Sequence, residues 1–547
     1  MSLHCDPLSA GPDAHQVNQL PLAGIRFLEV GADFACAYAG HLLALLGADV
    51  VRVRRPVEEW AQGREPRPAR EPTRQPAATE SWGLDAGKTL FNGEVTPAIL
   101  ARLSVVAAVD STGWLGSTSF PVVHAIPSST PARAWAASGA MTLTGRADGP
   151  ALLAPSDVAT CLDGAALALR LLAASRGMPV SLDGSALLGE RAAIFGHHRN
   201  GTVSNGGACR LVATSDGWLA VSLSRASDIE LVPAWLDASV PADPWTSVRS
   251  LAAERSAHSV ADRAQLLGIP VAVVGGPDQD DEQFQARGQQ WPPAPWLFQG
   301  APTCLPPPRV LTTLDRLSPS RIVAPGRPLV VDLSALWAGP LAGSLLVDAG
   351  CRVVKVEDPR RPDPSREGPR QFFDLLQGGK ESVTVPVSAA GPFRALIGAA
   401  DVVIESSRPR ALEQLGIHPS PHQAWISITG YGRSGPWRNR VALGDDAAAA
   451  AGLVTREHEG GPPLFCADAA ADPVTGLHAA VAALAAVVGG VGGITDIAMR
   501  EVVGHALSHS RPAQSTDTGP LAPPRSRTPT RMAAKLGADT DSVLAEL

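Results

Sequence analysis

The chain has little of what would place it in several large classes of protein. Its seven cysteines are an odd number with no paired spacing, which argues against a disulfide frame and a thiolate zinc site and for a reducing compartment. It has no basic excess: a net charge of −7 lacks the electrostatic footprint of a nucleic-acid-binding protein. Lysine is scarce, four residues against forty-two arginines, yet Lys88, Lys355 and Lys380 all fall at motif positions described below. The N-terminal MSLHCDPLSAGPDAH has no apolar h-region, so no secretion signal is expected. The apolar run Leu477–Ile494 carries His478 and a GGVGG cluster and reads as a buried helix running into a turn, not as a membrane span. These absences lead us to expect a cytoplasmic protein without nucleic-acid or membrane partners.

What is present is a repeat. Ile25–Arg54 and Pro328–Glu357 are the same strand–loop–helix–strand pattern: Glu29, Gly40 and Arg52 fall opposite Asp332, Gly343 and Lys355, always 303 residues apart (332−29, 343−40, 355−52). A constant offset is the mark of internal duplication. SWGLDAGK, ending at Lys88, answers FDLLQGGK, ending at Lys380; Gly149, Pro150 and Gly164 answer Gly461, Pro462 and Gly476. Where the second copy has Asp472, in ADPVTG, the first has Thr160, in ATCLDG. One copy is expected to have kept a reactive carboxylate that the other lost.

At 547 residues and 45% hydrophobic the chain is long enough for several domains. The expected division is a worn α/β copy at 22–185, with strands at Arg26–Val30 and Asp49–Val53, then a small domain at 186–290 containing the Gly-rich turn RNGTVSNGG. A proline-rich strap follows at 291–327, then the clean α/β copy at 328–510 and a tail at 511–547. The tail ends in a short helix capped at Asp539 or Thr540.

VVDLSALWAGPLAGSLL, CRVVKVEDP followed by PDPSR, QGGKESV, ISITGYGRSGPW, GDDAAAAAGL, ADPVTGLHAAVAALAAV and LGADTDSVLAEL, in this order, resemble the class III CoA-transferases, a family that includes α-methylacyl-CoA racemases. The resemblance covers nearly all of 328–547, and a degenerate version covers 22–185. It implies an α/β fold with two Rossmann-like large domains and one small α+β domain, an intrachain pseudo-dimer; self-association beyond that is left open. It also implies CoA transfer from an acyl-CoA to a carboxylic acid, through an aspartyl-CoA thioester on Asp472, with coenzyme A as substrate and no tightly bound cofactor.

A carboxylate suits this chemistry because its adducts with acyl groups and thiols stay energy-rich. Asp472 opens a helix before Pro473, so the positive helix end is expected to hold it ionised; the plain alternative is a helix cap. Backbone N–H groups of Gly206 and Gly207 are candidates for an oxyanion site, and Asp446 for orienting the reaction. The resemblance places the CoA pantetheine along Trp337, Ala338 and Gly339, and offers Lys355, Arg366, Lys380 and Arg408 for its phosphates, with surface charge the duller alternative. Ser406-Ser407 stand where the family usually has Asn-Phe.

Racemases of the family carry a His where this chain has Asp445, so transfer is favoured over racemisation. A non-catalytic CoA-binding scaffold is a second alternative. An NAD enzyme is disfavoured because SALWAGPLAG lacks the G-x-G-x-x-G fingerprint. His505 and His509 have metal-like spacing but no neighbouring carboxylate; they are expected on an exposed helix face, with no metal site.

Overall fold

The computed structural model describes residues 20–53, 84–91, 103–115, 118–126, 128–238, 243–275, 282–289, 293–298, 305, 308–311, 326–386, 390–420, 422–509 and 516–547. The MSLHCDPLSAGPDAH segment, Ser81, Trp82 and Gly83 of the first Gly-Lys motif, and most of the proline-rich strap lie outside the described residues.

Short apolar strands alternating with helices build a mixed α/β protein with two mainly parallel sheets. The first consists of β1 (Arg26–Val30), β2 (Asp49–Val53), β3 (Thr89–Phe91), β4 (Ala107–Asp110), β5 (Val122–His124) and β10 (Arg309–Leu311), in the order β10-β3-β2-β1-β4-β5. The second contains β11 (Leu329–Asp332), β12 (Arg352–Glu357), β13 (Glu381–Thr384), β14 (Val402–Glu405), β15 (Ala424–Thr429), β18 (Gly493–Ala498) and β9 (Leu297–Phe298), ordered β13-β12-β11-β14-β15-β18-β9. β1 and β2 match their sequence-expected bounds. The strap is more than a linker: it supplies β10 to the first sheet and β9, antiparallel on β18, to the second.

Between the lobes in sequence, β6 (Cys209–Ala213), β7 (Trp218–Ser222) and β8 (Val271–Val273) form an antiparallel sheet. Helices Ala226–Leu236, Pro244–Ala253 and Ala257–Leu267 close a separate core around Trp235. The hairpin β16 (Val454–Thr455) and β17 (Leu464–Phe465) completes the strands. Helix Leu187–Phe195, grouped with the small domain in the sequence, packs instead between the lobes, on Pro131–Ser138 and Ala140–Leu143 of the first and on helices Arg370–Gln377 and Ala471–Gly489 of the second.

The lobes share one apolar core. At its centre helices Val158–Ser175 and Ala471–Gly489 pack on each other; both are long and apolar enough to cross a membrane, but 83% and 89% of those stretches is buried inside the protein. The second helix starts earlier than the apolar run implied and stops at Gly490, whose φ of 60° ends it. Tyr38 of helix Phe34–Leu45 donates to His478 at 3.1 Å across the lobes, because the His478 Nδ1–H is already given to the Val474 carbonyl at 2.7 Å. The tail crosses from one lobe to the other: Ala522 N–H donates to the Ala136 carbonyl, and Ala533 N–H to Asp374. Asp539 precedes the last helix, but its carboxylate accepts the Ser382 N–H at 2.8 Å instead of capping.

Each lobe depends on one glycine. A Cβ at Gly164 would lie 2.7 Å from the Ala35 carbonyl oxygen, and one at Gly476 would lie 2.6 Å from that of Ala338. Gly164→Ala and Gly476→Ala should each cost about 1–3 kcal/mol in urea unfolding; a loss under about 0.5 kcal/mol at either position would show that the helix pair can move apart freely.

Candidate active site

A cavity of about 530 Å³ opens where the second lobe meets helix Leu187–Phe195 and the Gly-rich turn. Its walls include Arg191, Gly206, Trp337, Phe372, Asp445 and Asp472. Trp337 stands edge-on to Phe372 at 5.6 Å, and the Arg191 guanidinium lies 5.2 Å from the Trp337 ring.

Four carboxylates crowd this junction, and their partners divide their roles. Asp468 takes a bidentate pair from Arg191, at 2.8 and 2.6 Å, with His197 Nδ1 at 3.3 Å. Burial pushes Asp468 up, but the Arg191 charge and hydrogen bonds outweigh it and hold it at about 2. Asp472 has no such clamp: burial lifts it to about 7 against the pull of Arg191, with Asp445 adding to the rise. Asp445 accepts the Ala469 N–H at 3.0 Å and is pushed by burial to about 6. Asp446 is pushed by burial to about 8. The helix end expected to hold Asp472 ionised is opposed by burial, which raises its pKa.

Backbone strain surrounds the nucleophile candidate. Leu336, Ala467 and Ala469 have φ of 70°, 58° and 45°, a left-handed conformation that costs non-glycine residues about 1–3 kcal/mol each. The surroundings hold it in place. Ala467 N–H donates to Thr144 Oγ1 at 3.0 Å, and the Ala467 carbonyl accepts Asn205 Nδ2 at 2.8 Å. A Cβ at Gly444 would collide with the Asp472 carboxylate, and one at Gly339 with Ser334.

Several sequence-predicted residues stand elsewhere. Asp446 is wholly buried outside the cavity, accepting from Ser222 Oγ at 2.8 Å and the Leu443 N–H at 3.0 Å; Asp445 is the acid that faces inward. The Gly207 N–H closes its own turn on the Ser204 carbonyl at 2.8 Å, so it is no oxyanion donor, whereas Gly206 lines the cavity. Lys380 is buried, donating to Asp332 at 2.8 Å and to the Pro340 carbonyl at 2.9 Å. Lys355, also buried, pairs with Asp363 at 3.1 Å and the Ser334 carbonyl. Neither lysine can reach a phosphate. Arg366 is held by Glu357, at 2.9 Å through Nε and 2.5 Å through Nη2, over the Phe373 ring. Arg408 is half-buried beside Arg410 and Arg225, and its burial and those like charges lower its pKa; it has no carboxylate partner among the described residues. Trp337 and Ala338 form the turn against Asp472. His505 and His509 are buried, not exposed as the sequence suggested.

Arg191 and His197 escaped the sequence reading because Asp468 lies 277 and 271 residues away. Nothing in GERAAIFGHHRN announces that partner.

Residues 328–534 match the family model CoA-transferase family III. A succinyl-CoA–D-citramalate CoA-transferase of Chloroflexus aurantiacus is 33% identical over 149 residues, 24% of this chain and 37% of that one. A probable fatty acyl-CoA transferase of Mycobacterium tuberculosis is 36% identical over 157 residues, covering 24% and 39%. A mouse succinyl-CoA:glutarate CoA-transferase is 32% identical over 167 residues, covering 27% and 38%. A crystal structure of a CAIB/BAIF family protein from Brucella suis has 28% identity and a TM-score of 0.31, covering 32% of this chain and 53% of that one. The chain thus spans about two fifths of the length of the curated relatives it matches.

The raised acids make a pH prediction whose sign is the reverse of the usual carboxylate case. With Asp445, Asp472 and Asp446 at about 6, 7 and 8 in the fold, against 3.8 otherwise, the folded chain holds more protons than the unfolded one between those limits. Their contribution to stability is therefore fully present near pH 4 and is lost as pH rises to about 8. Asp472→Asn should remove one share of that decline, so its urea midpoint should gain on wild type from pH 4 to 7. Parallel profiles would contradict the burial argument.

Proposed function

We propose that this chain, whose residues 328–534 match the CoA-transferase family III model, moves coenzyme A from an acyl-CoA to a carboxylic acid, with Asp472 as nucleophile. The observation that carries this is Asp472 itself: a part-buried carboxylate lining a cavity, without a cation clamp, beside an acid that has one. An Asp472 oxygen attacks the thioester carbonyl; the carbon–sulfur bond breaks, giving a mixed anhydride and CoA thiolate. The thiolate attacks the aspartyl carbonyl and releases the donor acid, leaving an aspartyl-CoA thioester. The acceptor carboxylate attacks that thioester, and the freed thiolate then takes the acceptor's acyl group from the new anhydride, restoring Asp472. A pKa near 7 leaves a useful fraction of anion that is only weakly solvated. The Gly206 N–H is the donor we assign to the oxyanions, and Arg408, which has no carboxylate partner among the described residues, the cation we assign to the CoA phosphates.

The first lobe is, in this reading, a duplicated scaffold. The shared strand order of the two sheets supports it, as does Thr160, whose hydroxyl donates to Asp157 at 2.5 Å where the second lobe has its reactive acid. A second reading, α-proton exchange, draws on Asp445, which faces the cavity beside Asp472; we rank it below transfer because two neighbouring acids repel when both ionise.

Asp472→Ala should abolish transfer between succinyl-CoA and a panel of carboxylic acids while leaving CoA affinity nearly unchanged. Thr160→Ala should keep transfer and lose about 1 kcal/mol of stability. Residual transfer in the first variant would remove Asp472 from the mechanism. Incubation of a 2-methylacyl-CoA in deuterated water separates the two readings: fast uptake at the α-carbon favours exchange, and uptake far slower than transfer favours the transferase.

A further inference from the structure

Far from the cavity, three histidines converge where the lobes meet. His41 comes from helix Phe34–Leu45, and His505 and His509 from helix Met499–Ser508 and its C-cap. One ring nitrogen from each lies within 4.8 Å of the others. All three side chains are buried, with 5%, 1% and 5% exposure, and neither the repeat nor the proposed transfer uses them.

The outer hydrogen bonds fix which nitrogens are available. His505 Nδ1 lies 2.7 Å from the Pro293 carbonyl, and His509 Nδ1 lies 3.0 Å from the His505 carbonyl. A carbonyl only accepts, so both Nδ1 atoms carry the proton and both Nε2 atoms carry the lone pair. That backbone-carbonyl arrangement orients metal-bound imidazoles. His505 Nε2 and His41 Nδ1 are buried with no hydrogen-bond partner among the described residues, an arrangement that is costly unless something else takes the lone pairs. Lys88, a cation that acts on His41, is already paired with Glu29 at 2.8 Å.

We propose that His41, His505 and His509 form a site for a borderline divalent transition metal of the Zn²⁺ type, which ties the first lobe's opening helix to the last helix of the second lobe. Three neutral imidazoles without thiolate or carboxylate suit Zn²⁺, Co²⁺ or Ni²⁺ and disfavour Mg²⁺ and Ca²⁺. Tetrahedral zinc–nitrogen bonds of about 2.0–2.1 Å require the three nitrogens to draw in by rotamer adjustment, and the slight exposure of His41 and His509 marks the way in. The site does not depend on the transfer reaction.

The test titrates tag-free, chelator-treated full-length protein with Co²⁺ and Zn²⁺. The expected result is stoichiometric Co²⁺ uptake with visible d–d bands and no thiolate charge-transfer absorption, and a raised unfolding midpoint in Zn²⁺ but not in Mg²⁺. His41→Gln and His509→Gln should each weaken binding by at least about tenfold, while Asp472→Ala should bind as wild type does. Absence of stoichiometric uptake by wild type, a thiolate-type spectrum, or unchanged affinity in both folded histidine variants would overturn the proposal. The wild-type spectrum decides the matter even if a variant fails to fold.

Discussion

One imbalance governs the site: three carboxylates, Asp445, Asp468 and Asp472, share the Arg191 guanidinium. Arg191 can form only one bidentate pair, and it forms it with Asp468. The low-dielectric junction cannot hold the other two as unpaired anions at no cost, so burial lifts Asp445 and Asp472. Unequal pairing is what turns a cluster of acids into one anchor and one poised group. The anchor is also structural, since Arg191 belongs to a helix that leaves the first lobe and packs on the second. Removing it would leave buried Asp468 with only His197 beside it, a change of up to about 3–5 kcal/mol in comparable pairs.

The same logic of buried charge explains the lysines. Lys88 donates to Glu29 and to the Ala37 carbonyl, and Lys380 donates to Asp332 and to the Pro340 carbonyl, at 2.8 and 2.9 Å in each lobe. Gly40 and Gly343 leave the room for these ammonium groups, because a Cβ there would press on them. A device kept identically in the lobe that has Thr160 in place of Asp472 is a device for folding. It locks the first strand, the first helix and the third strand together without any ligand.

That repetition was legible in the sequence, and it carried the strand bounds, the position of Asp472 and the Thr160 contrast. It also held a warning: Lys88 and Lys380 recur at equivalent positions beside Glu29 and Asp332, so a ligand role peculiar to one lobe was the weaker inference for Lys380. Charge and motif alone could not tell a buried ion pair from a phosphate contact. Asp445 and Asp446 are neighbours on one helix start, and only the helix orientation decides which of them faces the cavity. Arg191, His197 and the three-histidine junction join residues hundreds of positions apart, where periodicity and local motifs carry no signal. The strap was read from its prolines as a linker, whereas its short β9 and β10 segments find partners only at the edges of preformed sheets.

The central claim is that Asp472 becomes covalently loaded. Mass mapping of the full-length chain after incubation with an acyl-CoA donor and hydroxylamine reads that directly, since hydroxylamine converts an aspartyl thioester or anhydride to a stable hydroxamate. The account predicts one modified residue per chain, Asp472, with Asp468 and the first lobe untouched. An unmodified Asp472 during active turnover, or a modified residue in the first lobe, would contradict it.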